Sequence, residues 1–319
     1  MQVFNNPTPN EIKMAAKALK DGNLVAFPTE TVYGLGADAT NEKAVGRIYS
    51  SKGRPLDHPL IVHISSIDLM YEWAIHIPAY ASKLAEEFWP GPMTLILKRS
   101  SLAKDFITGG QNNVGLRVPV HPLAMALLKR FDEIGGLGVA APSANRFGAV
   151  SPTTAAAVGE ELGDYLGLDD LILNGDQCQV GIESTIFDCT KDNPSILRPG
   201  AITDQMVKST ISIDVMFDQA GRMVKTSGLL DSHYSPKAKV LINKEAVPGD
   251  GLLAMDNFLT PIGVIRLASP KTIEQYAMVL YEAFRFGDKK GVKRIIVIPP
   301  EGDGIAVGVR DRISKASAG

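Results

Sequence analysis

The first regular pattern starts at Thr8-Pro9-Asn10-Glu11, where a threonine cap and a first-turn proline open a helix. Met14, Ala15, Ala18 and Leu19 make its apolar stripe, and Gly22 stops it. Residues 24–28, LVAFP, form a short apolar run ended by proline, which predicts a buried strand. Beyond it the pattern predicts a helix over 43–49, a strand over 60–64 and a helix over 80–88. Residues 93–98, MTLILK, follow as a strand in which Thr, Ile and Lys alternate with Met, Leu and Leu. A strand over 115–120, a helix over 122–131 and a strand over 137–141 come next, and 153–162 and 184–188 continue the alternation. Helix and strand alternate without an internal repeat, so residues 1–206 read as one α/β domain.

From 204 to 234 the chain turns polar and reads as a long connection; residues 207–236 are assigned as a linker. Strands are then predicted over 239–242, 262–267 and 294–298, with helices over 273–286 and 308–316. This is a second, small α/β unit spanning 237–319, with room for only a modest core.

Composition narrows the function classes. A net charge of −2 over 319 residues gives no global attraction to nucleic acid or an anionic membrane, so any cationic site is local. The N-terminus lacks a basic region followed by an apolar run, and no stretch is long enough to span a bilayer. A cytoplasmic protein without membrane contact is expected. Cys178 and Cys189 could pair, but the composition favours two buried thiols in a reducing compartment. Neither has partners at zinc-ligand spacing, so no protein-held metal is expected.

Chemistry concentrates in the first domain. SSKGRPLDHPLIVH, residues 50–63, places Lys52, Arg54, His58 and His63 on a segment whose two prolines forbid a regular helix. It has the donors for a phosphate but is not a Walker loop. PTETVYGLG, residues 28–36, follows a buried strand, where loops of α/β sheets line ligand crevices; read alone, it is equally a turn whose hydroxyls satisfy local backbone. APSAN, residues 141–145, follows another strand, and Ser151 reads as the cap of a helix starting near Pro152. Arg117 lies within an apolar strand and needs a carboxylate, from the protein or from a ligand. Arg198 sits between an apolar run and a proline. His76 and His121 read as helix-edge residues, Trp73 and Trp89 as core, and DKKGVK over 288–293 as a solvated turn.

PTETVYGLG, SKGRP, HPLIVH, WPGPMTLIL, GLRVP, APSAN with SPT, GIESTI and ILRPGAIT occur here in that order. Together they resemble the threonylcarbamoyl-AMP synthases, the YrdC-like family, over about residues 8–206. HYSP at 233–236 and Asp311-Arg312-Ile313 resemble the two-domain branch, for which the segment between Val240 and Pro270 reads as short and irregular. The resemblance implies a twisted open α/β sheet with a large concave cationic cavity, plus a small Rossmann-like C-terminal domain. It implies that L-threonine, bicarbonate or CO2, and ATP with Mg2+ give threonylcarbamoyl-adenylate and pyrophosphate, with no organic prosthetic group. The product would feed a downstream complex that modifies tRNA, with contact to tRNA only indirect.

Carried over by motif, Lys52 and Arg54 are the expected catalytic cations. Extended backbone over 52–54 would put both on one face. The nucleotide is expected at Lys52, Arg54, His58, Asn113, Ser143, Asn145, Ser151, Arg198, His233 and Tyr234, and threonine at Thr31, His63, Arg117, Ala141 and Ser184. The linker is expected to fold back as a lid carrying His233 or Tyr234 to the nucleotide. Two rivals are a non-catalytic RNA-binding module and another carbamoyl-adenylate enzyme of the hydrogenase-maturation type. The charge argues against the first, and the lack of zinc-finger cysteine pairs against the second.

Overall fold

The computed structural model describes residues 1–217 and 234–319. Among them, one mixed sheet holds β1 (Gln2–Asn5), β2 (Val25–Phe27), β3 (Gly34–Asp38), β4 (Ile61–His63), β5 (Met93–Lys98), β6 (Asn113–Arg117), β7 (Val139–Ala140), β8 (Leu171–Asn174), β9 (Thr185–Asp188), β10 (Ser195–Arg198) and β11 (Met216–Phe217). Its order is β1-β8-β2-β3-β7-β4-β6-β5-β9-β10-β11. β6 runs parallel to β4 and antiparallel to β5, so His63 and Arg117 leave the sheet side by side in register.

The alternation in MTLILK divides the sheet into two faces. Met93, Leu95 and Leu97 enter the main core with Leu116 and Trp73, whereas Ile96 packs with Ile186, Leu197 and Ile61 on the opposite face. Ile61, which lines the cavity described below, belongs to that second face. Gly115 lies within it, and a Cβ there would stand 3.1 Å from Ile96 Cδ1.

Helix Pro9–Lys20 has the capping box expected of Thr8 and Glu11. Its buried arc is Ala15, Ala16, Ala18 and Leu19; Met14, expected on that stripe, is 54% exposed. Successive helical residues step about 100° around the axis, which takes Met14 off the arc centred on Ala15 and Leu19. The predicted connection is partly regular. Thr203 caps helix Asp204–Ile211, which buries Val207 and Ile211, and β11 pairs with β10. Its polar composition hid these anchoring apolar residues, with Ile213 and Val215 packed part-buried beside them. Cys178 and Cys189 are both buried free thiols.

The second sheet has β12 (Lys239–Ile242), β13 (Gly251–Leu253), β14 (Ile265–Ala268) and β15 (Arg294–Val297), in parallel order β12-β15-β13-β14. Helices Ile273–Lys289 and Ile305–Ser317 pack together and against it. The segment read as short and irregular therefore holds two strands, one of them only three residues long. Ile262, expected to begin a strand, is 96% exposed. DKKGVK is not simply a solvated turn: Asp288 accepts the amides of Lys237 and Ala238, and Val292 is buried. Among the described residues no helix is long and apolar enough to cross a membrane.

Candidate active site

The candidate site is a cavity that takes Ile61 from the sheet face opposite the main core. Thr29, Thr31, Val32, Gly34, Arg54, Ile61, His63, Arg117, Ala141, Pro142, Ser143, Glu183, Ser184, Arg198 and Tyr234 line it. Three chain segments converge because their backbones bond one another. Leu35 N donates to Pro142 O, Ala144 N to Tyr33 O and Ala141 N to Ile61 O, while Gly34 bridges Ser143. Gly34 keeps this approach close: a Cβ there would stand 3.2 Å from that of Ala141.

Arg117 answers its sequence puzzle with a protein carboxylate. Nη2 donates to Glu30 Oε1 at 2.6 Å, Nη1 to Thr31 Oγ1 at 2.9 Å and Nε to Gly91 O at 3.4 Å. Glu30 Oε2 accepts the Val120 amide, and Thr29 fixes Thr31 through a 2.8 Å hydroxyl contact. A guanidinium has five N–H groups, so donors remain for a ligand carboxylate after these bonds. His63 stands beside it, 4% exposed, with Nδ1 buried and without a hydrogen-bond partner. Burial, then the Arg117 charge, push its pKa down to about 3, so the ring is neutral.

Arg198 donates from Nε and Nη2 to Ser184 O, and from Nη2 to Ser184 Oγ, whose hydroxyl also meets Thr94 Oγ1 at 2.8 Å. Arg54 donates to His58 O and Pro59 O and lies 5.8 Å from the centre of the Phe147 ring. Burial lowers its pKa to about 10, which leaves it charged. Three cations thus surround one cavity, which suits an anionic guest.

Glu183 forms part of the wall and is held from the second domain. Its Oε2 accepts Arg312 Nε at 2.8 Å and Tyr281 Oη at 2.9 Å, and its Oε1 accepts Ser151 Oγ at 2.6 Å. Burial pushes its pKa up, but the Arg312 and Arg198 charges, with hydrogen bonds from Arg312 and Ser151, outweigh that and hold it at about 2. Tyr234, 1% exposed and at φ 63°, packs 5.7 Å from the Tyr281 ring and lies under Arg312. A left-handed tyrosine costs about 1–3 kcal/mol and persists where its surroundings over-determine it.

Several expected placements change. Residues 52–54 are not extended: Lys52 ends helix Glu42–Lys52, and Gly53 caps it at φ 63°. Lys52 is 2% exposed and donates to Ser143 O and Asn145 O rather than facing the cavity with Arg54. Ser151 caps no helix; it is fully buried against Glu183, and Thr154 caps helix Ala155–Leu162. Asn145 bonds Arg146 O and Ala149 O. His58 packs edge-on against Phe147 at 5.2 Å. Asn113 lines another concavity with Lys98, Arg99 and Lys104. His121 caps helix Pro122–Glu133, and His233 lies outside the described residues. Sequence reading gave no site role to Glu30, Glu183, Tyr281 or Arg312. The quoted PTETVYGLG, GIESTI and Asp311-Arg312-Ile313 carried a trace of the first, second and last.

For Mg2+, the described residues hold no cluster of His, Cys, Asp or Glu suited to a cation. Glu183, the carboxylate on the wall, has both oxygens committed, so a protein-held ion does not fit here.

This α/β fold thus carries a cavity lined by three buried arginines, a neutral histidine and a tyrosine, with the charge to receive a small anion. Two families match in tandem: "Telomere recombination" over residues 17–200, and "Threonylcarbamoyl-AMP synthase, C-terminal domain" over 202–318. The threonylcarbamoyl-AMP synthase of Pyrococcus abyssi is 37% identical over 326 residues, covering 96% of this chain and 94% of its own. That of Bacillus subtilis is 35% identical, covering 97% and 93%. The structure of P. abyssi Sua5 complexed with L-threonine superposes with a TM-score of 0.89 at 34% identity, covering 99% of this chain and 97% of that one. The chain belongs to the threonylcarbamoyl-AMP synthase family, in its two-domain form.

Proposed function

We propose that the protein joins L-threonine, bicarbonate or CO2, and ATP into threonylcarbamoyl-adenylate, releasing pyrophosphate, and that the product serves tRNA modification. The observation that carries this reading is the Arg117–His63–Thr31 corner. It offers charged donors for an amino-acid carboxylate beside an unpartnered neutral imidazole nitrogen suited to a hydroxyl. Arg54 and Arg198 on the same cavity suit the phosphates. The threonine amine adds to CO2, and the resulting carbamate oxygen attacks the α-phosphorus as pyrophosphate leaves. No side-chain nucleophile is required. Catalysis rests on holding the reactants together, worth on the order of 7–11 kcal/mol, and on offsetting charge on the leaving group. Mg2+ would arrive on the triphosphate.

Tyr234 lies on the cavity wall, whereas residues 218–233, on which the expected lid depends, lie outside the described residues. Pyrophosphate release with each of the twenty amino acids, with and without bicarbonate, tests the reading. Threonine should exceed serine and valine, because the site must satisfy both the methyl and the hydroxyl. Equal release with serine refutes this account of the corner. The RNA-binding alternative predicts steeply salt-dependent RNA affinity and no threonine-dependent ATP consumption.

A further inference from the structure

Helix Glu42–Lys52 ends in a way that bears on the catalytic loop over 143–147. The last carbonyls of a helix have no intrahelical partner. Here Gly53 and Arg54 amides take Tyr49 O and Ser50 O, and the other two are taken by the loop. Arg146 Nη1 donates to Ser51 O at 2.7 Å and the Phe147 amide to Lys52 O at 2.8 Å. Lys52 returns the contact by folding its ammonium onto Ser143 O and Asn145 O. Asn145 Nδ2 then closes the turn on Arg146 O and Ala149 O. Gly53 belongs to the same joint: a Cβ there would stand 2.8 Å from Arg146 Nη2.

We propose that Lys52 is a positioning residue: it locks the loop over 143–147 onto the helix end and so fixes Ala141, Pro142 and Ser143 on the cavity wall, while Arg54 carries the phosphate contact. Three observations separate this from a phosphate-ligand role. The ammonium meets two backbone carbonyls, it is 98% covered, and the cavity lining includes Arg54 and Ser143 but not Lys52. Without the ammonium, both buried carbonyls would lose that partner. The backbone at 141 and the side chain at 143 serve different substrates in the proposed reaction, on which this inference rests. One lysine thereby sets the pocket for both threonine and ATP.

Lys52→Met keeps the length of the side chain and removes its donors. In the ligand-free variant, amide hydrogen exchange over 143–149 should speed at least about tenfold, with exchange in β4 and β6 unchanged. KM should rise for threonine and ATP together, and kcat at saturation should return to within a few-fold of the unaltered enzyme. A phosphate ligand predicts the converse: unchanged exchange, unchanged threonine binding and a collapsed kcat, which would overturn the proposal. Should Lys52→Met not fold, labelling the unaltered protein with an amine-acylating reagent decides. Lys52 should stay unmodified with and without ATP, whereas ready modification relieved by ATP would overturn the assignment. Exchange and labelling need no turnover, so their failure is separable from failure of the proposed reaction.

Discussion

Arg312→Met tests how far the second domain builds the site of the first. Arg312 is fully buried, and its guanidinium reaches Glu183 Oε2 and O, Pro199 O and Asp311. Removing one partner of such a pair strands a buried carboxylate, at a cost of about 3–5 kcal/mol. The acid response offers a sharper signature. Glu183 sits at about 2 against an ordinary 4.5, so the stability it contributes is fully present above 4.5 and is lost as pH falls toward 2. The shift corresponds to about 3 kcal/mol in all, of which about 2 should vanish between about pH 7 and about pH 3. In Arg312→Met burial is left with less opposition, so the carboxyl pKa rises and that acid-dependent loss shrinks or disappears. Urea unfolding of both proteins across this range supplies the comparison, and the other titrating groups cancel in the difference. Parallel pH dependences would refute the claim that Arg312 governs Glu183.

Further outcomes follow from single contacts. Gly200→Ala places a Cβ 2.7 Å from the Thr185 amide, at the spot where Gly308 packs, and should lower stability by about 1–3 kcal/mol in a thermal melt. Arg54→Ala should cut pyrophosphate release roughly a hundredfold or more if the guanidinium meets the transferring group, and less than tenfold loss would remove it from the phosphates. His63, held at about 3, should show no imidazole titration between about pH 5 and about pH 8 by NMR. Its depressed pKa also contributes stability that is complete above 6.5 and lost as pH falls toward 3, because the unfolded chain takes up the proton first.

The legible part of this protein was what repeats along the chain. Period-two alternation in MTLILK marked the two faces of its strand, one in the main core and one packed with Ile186 and Leu197, and Thr8 with Glu11 foretold a capped helix. Arg117 in an apolar strand announced a buried charge, and Glu30, next in sequence to Thr31, supplied the partner. A short piece escaped for want of pattern: β13 has three residues. The fate of Lys52 was also hidden. Its neighbours are 91 and 93 residues onward, and nothing local distinguishes an ammonium bound for phosphate from one bound for carbonyls. Ser151 misled because a serine before proline looks like a cap, whereas its hydroxyl is claimed by Glu183.

The Glu183–Arg312 bond has a consequence for biosynthesis. Its partners are 129 residues apart. At roughly 5–20 residues per second, a ribosome exposes the carboxylate on the order of ten seconds before its guanidinium exists. During that interval the nascent wall holds an unpaired charge and stays hydrated, and nucleotides meet an unfinished pocket. Only when the helix over 305–317 docks does Glu183 gain its guanidinium, so the wall of the first domain is completed by a segment made long after it.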